Sequence, residues 1–172
     1  MRKWTTMLAI LSLAGTTAMA ANIDQGTREL EIGGGVNFDT IADTQFDLNV
    51  GYGYFVRDQW EVIGRVGVSD NDLITTWTVG VATEYNFDPG GEIIPYIGIG
   101  IAGAGTDLDQ GSNDSGAVFN ADLGTKFFMR DDVAPFIALR YNIATEDIYR
   151  EQGGVPSDDE ILITWGIRFF FD

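Results

Sequence analysis

The sequence predicts an all-β protein: an eight-stranded antiparallel up-and-down transmembrane β-barrel. Three observations carry this. Apolar and polar residues alternate with period two through eight segments, the signature of strands whose two faces meet different surroundings. The breaks between segments alternate between tight turns and mostly longer, strongly acidic connections. No helix pattern, linker or second domain interrupts them, and 22 Gly against 4 Pro suit a β protein with many bends.

The first element lies outside the barrel. Arg2 and Lys3 open a positive start, Met7 to Ala14 is apolar except for Ser12, and Ala18-Met19-Ala20 has the small-x-small form that signal peptidase reads. The apolar run falls well short of the ~20 residues that a spanning helix needs. Residues 1–20 are therefore expected to be a cleaved signal peptide, and 21–172 a single outer-membrane barrel domain. The whole chain of 172 residues has a net charge of -16, and loss of Arg2 and Lys3 leaves eight bases against 26 acids.

The strands are expected near 28–38, 44–56, 60–68, 74–87, 93–105, 117–130, 133–145 and 160–171. The first turns Glu31, Gly33 and Gly35 to one face. The second sets Phe46, Leu48, Val50, Tyr52 and Tyr54 against Asp47, Asn49, Gly51 and Gly53. In the third, Trp60 opposes Glu61 and Arg65. The fourth alternates Trp77, Val79, Val81 and Tyr85 with Gly80, Ala82 and Glu84. The fifth is apolar but broken by Pro95, Gly98, Gly100, Gly103 and Gly105, so it is no membrane helix. The sixth sets Phe119, Ala121, Leu123 and Phe127 against Asn120, Asp122, Gly124 and Lys126. The seventh separates Tyr141 from Arg140, and the eighth separates Trp165, Phe169 and Phe171 from Thr164, Gly166 and Arg168. Arg57-Asp58-Gln59, Asp88 to Glu92 and Asp131-Asp132 are the tight turns. Asp39–Asp43, Ser69–Leu73, Thr106–Gly116 and Glu146–Asp159 are the other connections.

Side-chain size decides which face points out. An eight-stranded barrel is only just wide enough inside for side chains to fill. The bulky aromatic face would overfill it, so that face turns outward to lipid, with aromatics near strand ends as interfacial girdles. The small and polar face turns inward. It places Glu31, Asp47, Glu61, Glu84 and Asp122 beside Arg65, Lys126, Arg140 and Arg168, with Phe55, Phe128 and Phe170 also inside. Charges in a narrow lumen must pair, because an unpaired one costs several kcal/mol. The residues allow two readings: a paired core that fills the lumen, or a narrow gated ion path.

The C-terminal run Thr164-Trp165-Gly166-Ile167-Arg168-Phe169-Phe170-Phe171 resembles the assembly signal of bacterial outer-membrane barrels. Thr164, Gly166, Phe169 and Phe171 hold its polar, glycine, apolar and terminal aromatic places. Asp172 departs from the pattern by following the terminal aromatic. With strand number and length included, the whole of 21–172 resembles the small eight-stranded proteins of the OmpX, OmpA-transmembrane and opacity-protein type. The resemblance implies a monomer integral to the Gram-negative outer membrane, in contact with outer-membrane lipids and lipopolysaccharide. It also implies periplasmic chaperones and the barrel-assembly machinery as partners during biogenesis.

Composition narrows the chemistry. Without Cys or His there is no disulfide, thiolate zinc site, Ser-His-Asp triad or His-ligated metal. The acidic balance speaks against nucleic acid. Gly98-x-Gly100-x-x-Gly103 matches a dinucleotide fingerprint literally, but no helix follows to hold a pyrophosphate. Asp107, Asp109 and Asp114 suggest calcium yet fail the EF-hand pattern, where Ser112 and Val118 take the Gly and Glu places. Asn113-Asp114-Ser115 fits a glycosylation acceptor, which has little bearing in such a membrane. Small-barrel deacylases, palmitoyltransferases and omptins all use a catalytic His, so their activity does not carry over.

The expected protein is non-enzymatic, with no catalytic residue and no cofactor, serving envelope integrity or surface interaction. The rivals are a porin-like channel and a soluble periplasmic lipid-binding barrel. A secreted N-terminus starts in the periplasm, which puts the acidic connections outside. With Glu160 they hold thirteen carboxylates against Arg150 alone, a crown that reads either as solubility and loop repulsion or as carboxylates recruiting divalent cations.

Overall fold

The structure, a computed structural model, describes residues 23–37, 46–71, 74–108, 114–146, 149–150 and 156–172. Eight strands close a barrel: β1 (Arg28–Asn37), β2 (Phe46–Arg57), β3 (Trp60–Asn71), β4 (Ile74–Asn86), β5 (Ile93–Leu108), β6 (Asp114–Phe127), β7 (Val133–Ala144) and β10 (Asp159–Phe171). The two-residue strands β8 (Tyr149–Arg150) and β9 (Pro156–Ser157) pair only with each other, inside the connection from β7 to β10. Every barrel strand pairs antiparallel with its neighbours in sequence, and β1 closes on β10 from Arg28↔Phe171 to Asn37↔Leu162. Ring closure gives each of the eight strands two paired neighbours, which is what a solvent without hydrogen bonds demands.

Following the ladder from Asn37 through Leu162, Arg140, Asp122, Gly98, Glu84, Glu61 and Phe55 leads back to Thr27, the residue before β1. The offset from 37 to 27 is a stagger of ten residues. Stagger tilts the strands and, with their number, fixes the narrow bore.

The tight turns gather at one end, called here the turn end. Between β2 and β3, Gln59 takes a positive φ of 68°. Two contacts from β4 hold it there: the Tyr85 hydroxyl donates to the Gln59 side-chain oxygen at 2.9 Å, and the Asn86 amide donates to the Gln59 carbonyl at 2.8 Å. Tyr85 in turn lies edge-on to Trp60 and Phe87, forming an aromatic cluster on the outer wall.

The two faces have opposite chemistry, inverted from a soluble fold. Outward residues are large and apolar, and Ile99 and Leu123 keep 65% and 62% of their surface exposed. Inward residues include Glu29, Glu31, Glu61, Glu84, Asp122, Lys126 and Arg168, all buried. Apolar interior residues form a cluster at each end, with Ile63, Tyr96 and Phe136 buried between them. Ile23, Phe55, Ile94, Phe128, Ala134 and Phe170 cluster at the turn end, and Ala104, Val118 and Ala144 at the loop end.

Three connections differ from expectation. Asn71 pairs with Ile74, so Ser69–Leu73 is not an open connection but one reduced to residues 72–73. Thr106 pairs with Asp114, so the strands expected over 93–105 and 117–130 become Ile93–Leu108 and Asp114–Phe127. The region 146–159 contains the β8–β9 hairpin. The reason is common to all three: acidic side chains end the apolar pattern without ending the pairing of two adjacent backbones.

Candidate functional site: a charged lumen

Alternation delivers the site. On β1, β3, β4, β6, β7 and β10 the inward parity carries charge, and the narrow bore brings those side chains together across the axis. Arg168 stands at the centre, fully buried. One of its amino groups reaches Glu29 at 2.8 Å and Glu84 at 2.7 Å, and the other reaches Glu31 at 2.9 Å and donates to the Tyr96 hydroxyl at 3.2 Å. Its guanidinium lies 4.8 Å from the Tyr96 ring centre and 4.5 Å from that of Phe136. Lys126, nearer the turn end, meets Glu29 at 2.8 Å, Glu61 at 3.3 Å and Glu84 at 3.5 Å.

Toward the loop end, Arg65 bridges Asp122 at 2.9 Å and Glu31 at 3.2 Å and also pairs with Glu84. Arg140 holds Asp122 through two hydrogen bonds of 2.7 and 3.1 Å. The Arg65 and Arg140 side chains retain 10% and 14% of their surface, so water reaches the network from the loop side. Asp47 stands higher, its carboxylate beside Gly35. The lumen thus joins Glu31, Glu61, Glu84 and Asp122 with Arg65, Lys126, Arg140 and Arg168.

Sequence reasoning missed Glu29, Tyr96 and Phe136. Glu29 shares the parity of Glu31 but adjoins Arg28 at the strand start, where it reads as a rim residue. Tyr96 and Phe136 were passed over, since of the aromatic residues only Phe55, Phe128 and Phe170 were expected inside. Their room comes from glycines on neighbouring strands. A Cβ on Gly124 would lie 2.5 Å from the Tyr96 ring, and one on Gly166 would lie 2.8 Å from the Phe136 ring. The absent side chain opposite is the signal that could have found them. Gly53 leaves space for Glu61 in the same way.

Asp107 lies on β5 opposite Thr75, and Asp114 lies on β6 opposite Thr106. Asp109 falls outside the described residues. Among the described residues no cluster of three or more acids could hold a metal ion. Of the C-terminal pattern, Thr164 is buried inward and Gly166 faces Phe136, while Phe169 and Phe171 point out. The Phe171 ring lies 6.3 Å from Tyr52, and Arg28 donates to the Asp172 main-chain oxygen at 2.9 Å.

Chemically, the arrangement is a brace. Its carboxylates face cations from other strands at ion-pair distance, and the rings beside them fill the bore. A carboxylate dyad for sugar hydrolysis needs an open cleft around it, and this one is enclosed.

A sequence model of the outer membrane protein β-barrel domain matches residues 6–169. No curated protein sequence matches. Among solved structures, the N-terminal β-barrel domain of Pseudomonas aeruginosa OprF superposes with a TM-score of 0.67. Its identity is 20%, over 86% of this chain and 98% of that one. Neisserial surface protein A gives 0.61 at 15% identity, over 84% and 95%. OprG, also from Pseudomonas aeruginosa, gives 0.56 at 12% identity, over 86% and 97%. At these identities the likeness is one of fold.

Proposed function

We propose a role that proceeds from one premise: the chain belongs to the outer-membrane protein β-barrel domain family and is integral to the outer membrane. That role is non-catalytic. The protein acts as a monomeric, cross-braced barrel that contributes to envelope integrity or surface interaction through its acidic loop end. The observation that carries this reading is the filled lumen, where Arg168 alone ties together carboxylates from β1 and β4 and a phenol from β5. A bore occupied in this way offers no wide passage, which leaves the rims and the outer wall as working surfaces. The apolar outer wall and charged interior also speak against the soluble lipid-binding alternative.

Residues 1–20 are, on this proposal, removed after export, leaving 21–172. Chaperones and the assembly machinery then deliver the barrel, with Thr164, Gly166, Phe169 and Phe171 as the recognised pattern. The loop end faces outward among lipopolysaccharide headgroups, where divalent cations bridge loop carboxylates to lipid phosphates. Asp107, Asp109 and Asp114 are the candidates for that contact.

The test uses a host lacking the gene, complemented with the native chain or with a barrel whose 146–158 connection is replaced by a tight turn. The trimmed barrel should assemble, with heat-modifiable gel mobility, yet fail to restore detergent resistance or surface binding. Full rescue by the trimmed barrel would remove the loop end from the proposal. The water-reached Arg65 and Arg140 support a second reading, a narrow gated path, which conductance decides.

A further inference from the structure

The turn-end mouth holds a device that the brace does not explain. Ahead of β1, residues 23–27 fold back under the barrel instead of continuing the strand. The Gln59 amide donates to the Ile23 carbonyl at 3.0 Å, and the Gly26 amide donates to the Phe55 carbonyl at 2.9 Å. The Gln25 amide donates to the Asp58 carboxylate at 2.9 Å, and the Gln25 side chain donates to the Val56 carbonyl at 3.1 Å. Gly26 makes the bend with a φ of 100°, a conformation that side-chain-bearing residues rarely adopt. The strap is thereby pinned along the end of β2 and its turn. Its one large apolar side chain, Ile23, is 2% exposed.

What buries Ile23 is the ring of inward residues at the mouth: Phe55, Ile94, Phe128, Ala134 and Phe170. Phe170 contacts both other rings, at 4.8 Å from Phe128 and 6.4 Å from Phe55. Directly above lies the charged core, with Lys126 Nζ 5.6 Å from the centres of both Phe55 and Phe170. The apolar layer is therefore what stands between the fully buried ions and water at this end.

We propose that Ile23 is a stopper: the 23–27 strap seats it in the turn-end mouth, and its seating decides whether water enters the lumen from that side. The strap is held by a few main-chain hydrogen bonds at a rim, and such segments open locally before the strands do. When it lifts, the mouth loses its only element that is not part of a barrel strand or its flanking turn among the clustered residues. The five remaining members stay fixed by the ladder. The lumen then has two states at this end, dry and wetted, without any change in strand pairing.

The absence of native Cys makes the test clean. Ala134→Cys places a thiol within the layer, Ala144→Cys within the small cluster at the opposite end, and Asp88→Cys on an exposed turn. Each protein, as residues 21–172, is folded into phosphatidylcholine vesicles permeable to a small water-soluble methanethiosulfonate, and labelling rates are compared. In the otherwise native chain, Ala134→Cys should react at least about a hundredfold more slowly than Asp88→Cys. Adding Ile23→Gly should accelerate Ala134→Cys about tenfold or more and leave Ala144→Cys unchanged, because the cavity penalty falls on the dry state alone. An unchanged slow rate at Ala134→Cys overturns the stopper. Equal acceleration at Ala134→Cys and Ala144→Cys also overturns it, since that is general loosening. If Ile23→Gly does not fold, Asp58→Ala unpins the strap with Ile23 intact and should accelerate Ala134→Cys severalfold, with no acceleration counting against the proposal.

Discussion

Removing Arg168 should cost this protein more than removing Arg140. Replacing Arg168 by Leu leaves Glu29, Glu31 and Glu84 facing one another with less compensating charge, and breaking a buried pair in this way costs about 3–5 kcal/mol. Arg140→Ala should cost less, about 1–2 kcal/mol, because Asp122 keeps Arg65. Urea unfolding in lipid vesicles, followed by tryptophan fluorescence, ranks the two, and an equal or reversed ranking would contradict the brace. The glycines make a complementary claim. Gly124→Ala drives a methyl into the Tyr96 ring at a cost of about 1–3 kcal/mol. That cost should fall sharply in a Tyr96→Leu background, whereas additive losses would separate the two positions. Most charged lumen residues were legible from parity alone. Tyr96 and Phe136 were not, because which glycine faces which ring depends on the stagger between strands, and that quantity appears in no single strand's pattern.

At the scale of the strand, facing is the property that can be inverted by one residue of slip. On β4, Val81 points out and is more than half exposed, while its neighbour Ala82 is buried inside. Val81→Arg should impair folding into bilayers, since Arg on a lipid face near mid-membrane costs about 2–4 kcal/mol. Ala82→Ser should be mild. Folding yields by gel mobility across a series of urea concentrations measure both, and a harmless Val81→Arg with a severe Ala82→Ser would turn the strand over. Strand centres were readable because each alternates between two solvents. Strand ends at the acidic connections were not. At those ends acidic residues interrupt the apolar alternation of β5 and β6, while the ladder runs on to Thr106↔Asp114.

For the molecule as a whole, the braced lumen predicts conductance. Purified protein in planar bilayers should show no wide, permanent pore. A small flickering conductance altered by Arg140→Ala or Glu84→Ala would favour the gated path instead. The acidic crown predicts that millimolar calcium raises the unfolding temperature more than sodium at matched ionic strength. Neutralising Asp107, Asp109 and Asp114 should remove much of that excess, and equal responses to both salts would reduce the crown to screened charge. Architecture was legible because eight alternations and alternating breaks leave few closed solutions; the strap at 23–27 was not, since five residues carry no period. The closing ladder between β1 and β10 has one more consequence, and it concerns time. It joins Arg28 to Phe171, so the first strand made waits for the last before either gains its second neighbour. Until then every shorter product of synthesis or damage carries two unsatisfied backbone edges into a solvent that cannot hydrate them, or lingers where proteases can reach it. The closing ladder thus makes survival depend on completion, alongside the C-terminal pattern proposed for recognition.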